Sequence, residues 1–321
     1  MLKNDHEKGG GKNMWKKVLS LLSLGLLAVL IVGCSSGKED TKEKATTKIV
    51  ETEMGKVEVP TKPKKVVVNW YIHDVASLGV KPVAYAGWAQ EAMPMYKEIK
   101  DIPTIEKWEK EELLSYEPDL IISYDKDDFD KFSKIAPVVV ISEKKTPEER
   151  LELLGEVLGK EEEAKKQVTT FEEKLTKAKD SFAKDEFKGK TFSIFEDWGS
   201  ASYGVYYETG SRGGTLLYDH IGLKYPDKLK ELIEKSGETR EGLSYEVAAD
   251  YFGDYVIWFL QPGKKDSEFE KTKIWPTIPA VKDGHVLTVP GDLNGLFYYS
   301  DVSSLTHQLD YFVEHFDALV K

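Results

Sequence analysis

The most restrictive feature of this chain is a long helical stretch near its middle that carries a single narrow apolar stripe. Thr146-Pro147-Glu148-Glu149 is a capping box with proline at the first helical position. Leu151, Leu154 and Leu158 form the apolar side of the helix it starts, and Gly159 closes that helix. Between Lys160 and Ala183, Ala164, Val168, Phe171, Leu175, Ala178 and Phe182 then recur in alternating steps of four and three, separated mostly by Lys, Glu, Thr and Asp. At 1.5 Å per residue such a helix would reach about 36 Å. No second copy of the pattern stands beside it to make a coiled coil. A helix of this length needs something to lie across on both sides.

Short buried strands occur on both sides. Before the helix, Val66-Val67-Val68-Asn69, Val83-Ala84-Tyr85, Leu120-Ile121-Ile122 and Val138-Val139-Val140-Ile141 alternate with helical stretches around Asp74–Leu78 and Leu113-Leu114. After it come Thr191-Phe192-Ser193-Ile194-Phe195, Tyr255-Val256-Ile257-Trp258 and Val286-Leu287-Thr288-Val289, then a closing amphipathic helix from Leu305 to Val320. The alternation predicts an α/β fold of two Rossmann-like lobes with parallel sheets and crossover helices. An internal echo supports two related halves. Glu111 precedes a short helix and Pro118-Asp119-Leu120-Ile121, while Glu246 precedes a short helix and Gly253-Asp254-Tyr255-Val256. The step from glutamate to aspartate is the same in both (119 − 111 = 254 − 246).

The N-terminus reads as a targeting segment. Met14-Trp15-Lys16-Lys17 is a positive region, Val18 to Val32 is almost unbroken apolar sequence, and Ile31-Val32-Gly33-Cys34 has the form of a bacterial lipobox. The apolar run is shorter than the roughly 20 residues a spanning helix needs. Residues 1–33 are therefore expected to be a lipoprotein signal peptide, with Met14 the expected true start. Cys34, the single cysteine, is expected to be lipidated, which would hold the protein on the extracytoplasmic face of a cell membrane. Residues 34–48 are polar and read as a flexible tether. The folded part is expected to comprise a first lobe over 49–158, a connecting helix over 159–186 and a second lobe over 187–321.

A formal net charge of −11 removes general nucleic-acid binding, which requires a basic face. No GxSxG, HExxH or Ser/His/Asp arrangement stands out, and Glu196-Asp197 alone is a weak carboxylate pair, so no enzyme is expected. His73, His220, His285, His307 and His315 show no HxH or HxxxH spacing, which speaks against a zinc or manganese carrier. Aromatic residues are plentiful, with seven tryptophans and sixteen tyrosines, but arginine is scarce: Arg150, Arg212 and Arg240. Arg150 falls in the capped helix and reads as solvated, and Arg240 lies in the polar run Gly237-Glu238-Thr239-Arg240-Glu241-Gly242. Arg212 sits among Gly210, Gly213 and Gly214, just before a helix start, where backbone can come close and the guanidinium can point at oxygens. The loop lacks the P-loop lysine and the GxGxxG spacing, so nothing in it specifies a nucleotide phosphate.

The order of these features, with the phrases KPKKVVVNWYIHDVASLGVKPVAYAGW, EPDLIISY, KIAPVVV, SRGGTLLYDHIGLK and WPTIPAVKDGHVLTV, resembles the iron-siderophore substrate-binding lipoproteins of ABC importers. The resemblance runs from about Val57 to Phe316 and is strongest to ferric-hydroxamate binders of Gram-positive type. It implies two lobes joined by one rigid helix that barely close around a ligand. It also implies that Glu111 and Glu246 dock on the permease dimer, and that Arg212 grips the oxygens of the bound complex. Around Arg212 it places Tyr206, Tyr207, Trp198, Tyr298 and Tyr299 from the second lobe, with Tyr71 and Trp88 from the first, each at the end of a strand. The family often has tryptophan where Tyr298 stands and another where this chain has Gly210-Ser211.

Iron in such a complex is already coordinated by the siderophore, so neither a protein metal ligand nor a cofactor is expected, and the protein should act as a monomer. One oxygen-facing arginine suits a neutral or weakly charged ferric hydroxamate better than ferric citrate or a tris-catecholate. Haem or cobalamin carriage remains the alternative within the same fold. A haem would call for an axial ligand such as His220, Met93 or Met95. Bare iron held by the Tyr206-Tyr207 and Tyr298-Tyr299 pairs is a further alternative.

Overall fold

A computed structural model of the chain describes residues 46–320. The signal-peptide reading, Met14 and Cys34 lie outside the described residues, as does the tether up to residue 45. Folded structure begins at Thr47, slightly earlier than expected. β1 (Thr47–Thr52) and β2 (Gly55–Pro60) form an antiparallel hairpin at the start of the first lobe. Among the described residues no helix is long and apolar enough to cross a membrane.

The first lobe is built on β3 (Val66–Asn69), β4 (Ala84–Ala86), β5 (Leu120–Ser123) and β6 (Val138–Val140), all parallel in the order β4-β3-β5-β6. These strands are apolar at nearly every position because helices cover both faces of a parallel sheet. The helices are α1 (Ile72–Ser77), α2 (Tyr96–Ile99), α3 (Lys110–Ser115) and α4 (Asp127–Phe132). In the second lobe, β7 (Phe192–Asp197), β8 (Val205–Glu208), β9 (Arg240–Leu243), β10 (Tyr255–Phe259) and β11 (Val286–Val289) order as β11-β10-β7-β8-β9. Here the expectation of purely parallel sheets fails, because β8 runs antiparallel to β7 and β9 antiparallel to β8. Only residues 198–204 connect β7 to β8, which is too short for a parallel crossover.

The internal echo is structural. Asp119 accepts the backbone N–H groups of Lys64 (2.8 Å) and Lys65 (2.9 Å), clamping the lead-in to β3. Asp254 does the same for β7, accepting the N–H (2.8 Å) and hydroxyl (2.9 Å) of Thr191. Immediately afterward, Leu120 pairs with Val66 in one sheet and Tyr255 with Phe192 in the other. Glu111 and Glu246 therefore occupy equivalent places in the two lobes, each exposed near the start of a short helix: α3, and α8 (Tyr245–Ala248).

Three helices tie the lobes together. α5 (Pro147–Leu158) starts on the predicted capping box, with both reciprocal bonds between Thr146 and Glu149, and ends on Gly159 in the left-handed conformation. α6 (Glu161–Phe182) is the long helix. Its Ala164, Val168, Phe171, Ala178 and Phe182 are buried, and Leu175 is packed against them. After α7 (Asp227–Ser236), α8 and α9 (Pro279–Lys282), the chain ends in α10 (Val302–Leu319), which packs along α6. A single apolar cluster runs from Val66, Val68 and Ile122 in the first sheet, through Leu154, Phe171 and Phe312, to Ile194, Ile257 and Phe259 in the second.

Polar contacts reinforce this junction. Arg150, expected in solvent, is instead largely covered: its Nε lies 3.1 Å from both carboxylate oxygens of the buried Asp74, and its Nη2 donates to Ser300 O at 3.2 Å. His220 bonds Glu148 of α5 through Nε2 and Thr215 O through Nδ1, both at 3.0 Å, and meets the Phe171 ring edge-on. Burial alone would lower the His220 pKa, but the Glu148 bond and the Thr215 carbonyl outweigh it and raise the value above 6.5. Burial likewise works against the Glu148 carboxylate, yet the His220 bond holds its pKa below 4.5. The raised histidine stabilises the fold below about pH 6.5 and loses that contribution as pH rises through its folded pKa. The lowered glutamate contributes above about pH 4.5 and loses it on acidification, so the pair is fully effective between those values. H220Q should therefore cost about 1–2 kcal/mol near pH 5.5 and clearly less near pH 8, measured by denaturant unfolding at both.

Candidate functional site

The site lies where strand ends from both lobes meet. After β3, Trp70 adopts a left-handed conformation (φ 69°), and its N–H donates to Ala86 O at 2.8 Å. The turn sends successive aromatic residues opposite ways. Trp70 is exposed, whereas Tyr71 is buried, donates its hydroxyl to Ile141 O at 2.9 Å and carries the Arg150 guanidinium over its ring at 4.9 Å. Tyr71 is thus a core residue, contrary to expectation, and Trp70 takes the exposed place expected for it.

Trp88 follows β4 and is 55% exposed. Its ring centroid lies 5.0 Å from that of Tyr298, which in turn lies 6.2 Å from Trp70. Behind them, Tyr299 is only 6% exposed. Its hydroxyl accepts the Trp88 N–H at 2.9 Å and its ring sits 5.3 Å from Trp70 and 4.4 Å from His73. Tyr299 is therefore a buttress for the aromatic wall rather than part of its surface. Burial pushes the phenols of Tyr298 and Tyr299 above their ordinary value.

In the second lobe, strand periodicity decides which residues face the site. Register places Tyr206 opposite Glu196 and Gly242, and Glu208 opposite Ile194 and Arg240, so all share one face of the sheet. Tyr207 points to the other face, fully buried with its hydroxyl on Glu238 O at 3.2 Å, and does not contribute to the wall as expected. Trp198 is 38% exposed and packs edge-on with Tyr206 at 6.2 Å. Arg240 belongs to the polar run Gly237–Gly242. It lies on β9, with its guanidinium 4.8 Å from the Tyr206 ring and 5.8 Å from that of Trp198.

Arg212 is held from below. Its Nε and Nη2 each donate to Glu196 Oε2 at 3.2 Å, and Gln261 Nε2 donates to Glu196 Oε1 at 3.0 Å. The guanidinium also lies over the Phe259 ring at 5.7 Å. Burial raises the Tyr298 phenol, and the charges of Arg212 and Arg240 work against it. Beside them, Ser211 Oγ donates to Glu208 Oε2 at 2.5 Å. Burial raises the Glu208 carboxyl, while the Ser211 bond and the two arginines work against it.

The glycines of the loop answer to packing. Arg212 (φ 54°) and Gly213 (φ 87°) are both left-handed. A Cβ at Gly213 would fall 2.6 Å from the Phe312 ring, and one at Gly214 would fall 2.2 Å from Thr209 O. The loop thus folds tightly onto α10 and itself before entering the π-helix Thr215–Ile221. Both ring nitrogens of His220 in that helix are engaged, Nδ1 by Thr215 O and Nε2 by Glu148 of α5, so this histidine is no axial ligand. Met93 is buried and its Sδ accepts the Gln90 N–H at 3.2 Å, while Met95 packs against the core. Among the described residues no group of three His, Cys, Asp or Glu could hold a metal ion.

The family described as "Periplasmic binding protein" matches residues 66–293. The chain is 29% identical to the "Iron(3+)-hydroxamate-binding protein YxeB" of Bacillus subtilis (strain 168), covering 92% of this chain and 95% of that protein. It is 30% identical to the "Iron(3+)-hydroxamate-binding protein FhuD" of the same organism, covering 94% and 98% respectively. The solved structure of the FhuD protein from S. pseudintermedius superposes with a TM-score of 0.70 at 26% identity, covering 86% of this chain and all of that one.

G213A should displace the Arg212 loop through the Phe312 clash. We expect the variant to lose at least about 1–3 kcal/mol of stability, an overpacking cost, and to bind ligand more weakly than R212A, as read by thermal melting and ligand titration.

Proposed function

The chain belongs to the periplasmic-binding-protein family, and from that premise we propose that it captures a ferric hydroxamate siderophore between two lobes and hands it to an ABC permease for iron uptake. This is a binding role, and catalysis forms no part of it. The observation that carries it is an aromatic group of Trp70 and Trp88 from the first lobe with Tyr298 from the second, together with Arg212 and Arg240 held on one face of the second sheet with Tyr206 and Trp198. Aromatic faces suit the apolar backbone of a bulky chelate, and guanidinium N–H groups suit its iron-bound oxygens. The ferric ion travels as cargo inside its chelator. Haem is less well served, since His220, Met93 and Met95 are all engaged or buried.

We further propose that Arg212, Tyr298, Trp88 and Trp198 contact the ligand and that Tyr299 positions Trp88. Residues 49–158 and 187–321 would act as the two lobes and 159–186 as the strut that keeps their closure small. Glu111 and Glu246 would dock on the two subunits of the permease dimer, supported by their equivalent, exposed places in the two lobes. Cys34 would carry the lipid that keeps the monomeric protein on the extracytoplasmic face of the membrane.

Intrinsic tryptophan fluorescence tests the ligand class, since three of the wall residues are tryptophans. Ferrioxamine B or ferrichrome should quench with sub-micromolar affinity, and ferric citrate should not; tight quenching by citrate alone would overturn the reading. The docking role is separable. E111A/E246A should keep full ligand affinity and abolish uptake by cells, whereas lost binding would rule it out.

A further inference from the structure

Resting on the ferric-hydroxamate reading, we propose that Glu196 and Glu208 make this cleft a charge-balanced receptor that accepts neutral or cationic ferric complexes and discriminates against anionic ones. Both carboxylates are almost wholly buried on the site face of the sheet, at 1% exposure each. Each has a guanidinium. Arg212, itself 12% exposed in its side chain, puts Nε and Nη2 on Glu196. Arg240 places Nε 2.5 Å from Glu208 Oε1, a charge contact that makes no hydrogen bond, and Nη2 3.9 Å from Glu196 Oε2. Two cations thus face two anions. Among the described residues, no lysine pairs with either carboxylate. The neighbouring Asp197 is satisfied separately, by the Gly199 and Phe269 N–H groups and the Tyr245 hydroxyl.

This arrangement separates hydrogen-bonding capacity from net charge. With Nε and Nη2 on Glu196, the Nη1 group of Arg212 has no acceptor among the described residues and can donate to a ligand oxygen without releasing the carboxylate. Three hydroxamates, each a monoanion, neutralise one ferric ion, so a tris-hydroxamate core needs donors for its oxygens and no counter-charge. A polyanionic complex would need a cation. Taking one from Glu196 or Glu208 would leave a buried carboxylate uncompensated, which is costly. Arginine at this site is thereby made a donor of hydrogen bonds rather than a sink for negative charge, and the glutamates set that limit.

Three ferrioxamines with the same iron core test the claim: one with its free ammonium tail, one with the tail acetylated and neutral, and one with it succinylated and anionic. Titrated by tryptophan quenching into the wild-type protein, the anionic form should bind about tenfold or more weaker than the other two. Added salt should narrow that gap. In E208Q and in E196Q, each checked for folding by circular dichroism and melting, the ratio of anionic to cationic affinity should rise by about tenfold. Equal affinities across the wild-type series, or a preference for the anion, would overturn the proposal even if neither variant folds. A folded E208Q and E196Q that both keep the wild-type ratio would remove the assignment to these carboxylates. Failure of all three ligands to bind would instead remove the ferric-hydroxamate reading on which this one rests.

Discussion

Everything else in this structure depends on the apolar seam that α6 and α10 close between the two sheets. Phe171, Phe182, Phe312 and Phe316 pack there against residues from both lobes, so the lobes share one core rather than meeting at a polar interface. A shared, close-packed core resists shear because any relative movement opens voids in it. Arg150 on Asp74 and His220 on Glu148 extend the same junction in polar terms, and removing either partner would strand a buried charge or a buried polar group. The long helix acts less as a tether between two bodies than as a shared wall of both.

The site grows out of this seam along one face of the second sheet. Ile194, Ile257 and Phe259 belong to the shared core, and at the strand ends that face gives way to Glu196, Tyr206 and Glu208. Tyr298 and Tyr299 sit just before Asp301, which caps α10 through the Ser304 N–H at 3.0 Å. The aromatic wall is therefore fixed by the same helix that closes the core. The aromatic wall and the interlobe packing are mechanically continuous: Trp88 rests on Tyr299, Tyr299 on His73, and His73 is buried in α1.

Much of the fold was legible because its signals are local and strong. The capping box at Thr146, the left-handed Gly159 and the stripe from Ala164 to Phe182 each arise from a few neighbouring residues, and each is present as read. The strands β3, β5, β6, β7 and β10 announce themselves as β-branched and aromatic runs buried on both faces. β8 and β9 escaped, since Tyr-Tyr-Glu and Arg-Glu-Gly lack such a run and owe their strand form to pairing across a sheet edge. Site residues were harder still. Choosing between Trp70 and Tyr71, or between Tyr206 and Tyr207, requires knowing how the chain turns after a strand and which face a strand presents. A shift of one residue reverses the answer. The positive φ at Trp70 and the antiparallel register of β8 decide these cases, and neither is written in composition. Glu196 and Glu208 had a weak signal available, namely carboxylates set at the ends of otherwise apolar strands. Arg240 had none until β9 brought it opposite Glu208.

On the proposed function, ligand sits against the wall made by Trp70, Trp88 and Tyr298, within reach of Arg212. Anomalous diffraction at the iron edge, from crystals of the protein soaked with ferrioxamine B, locates the cargo without reference to any side chain. One strong iron peak is expected in front of Tyr298, flanked by Trp88 on one side and Arg212 on the other. A peak elsewhere on the molecule, or iron ligated directly by protein side chains, would contradict it.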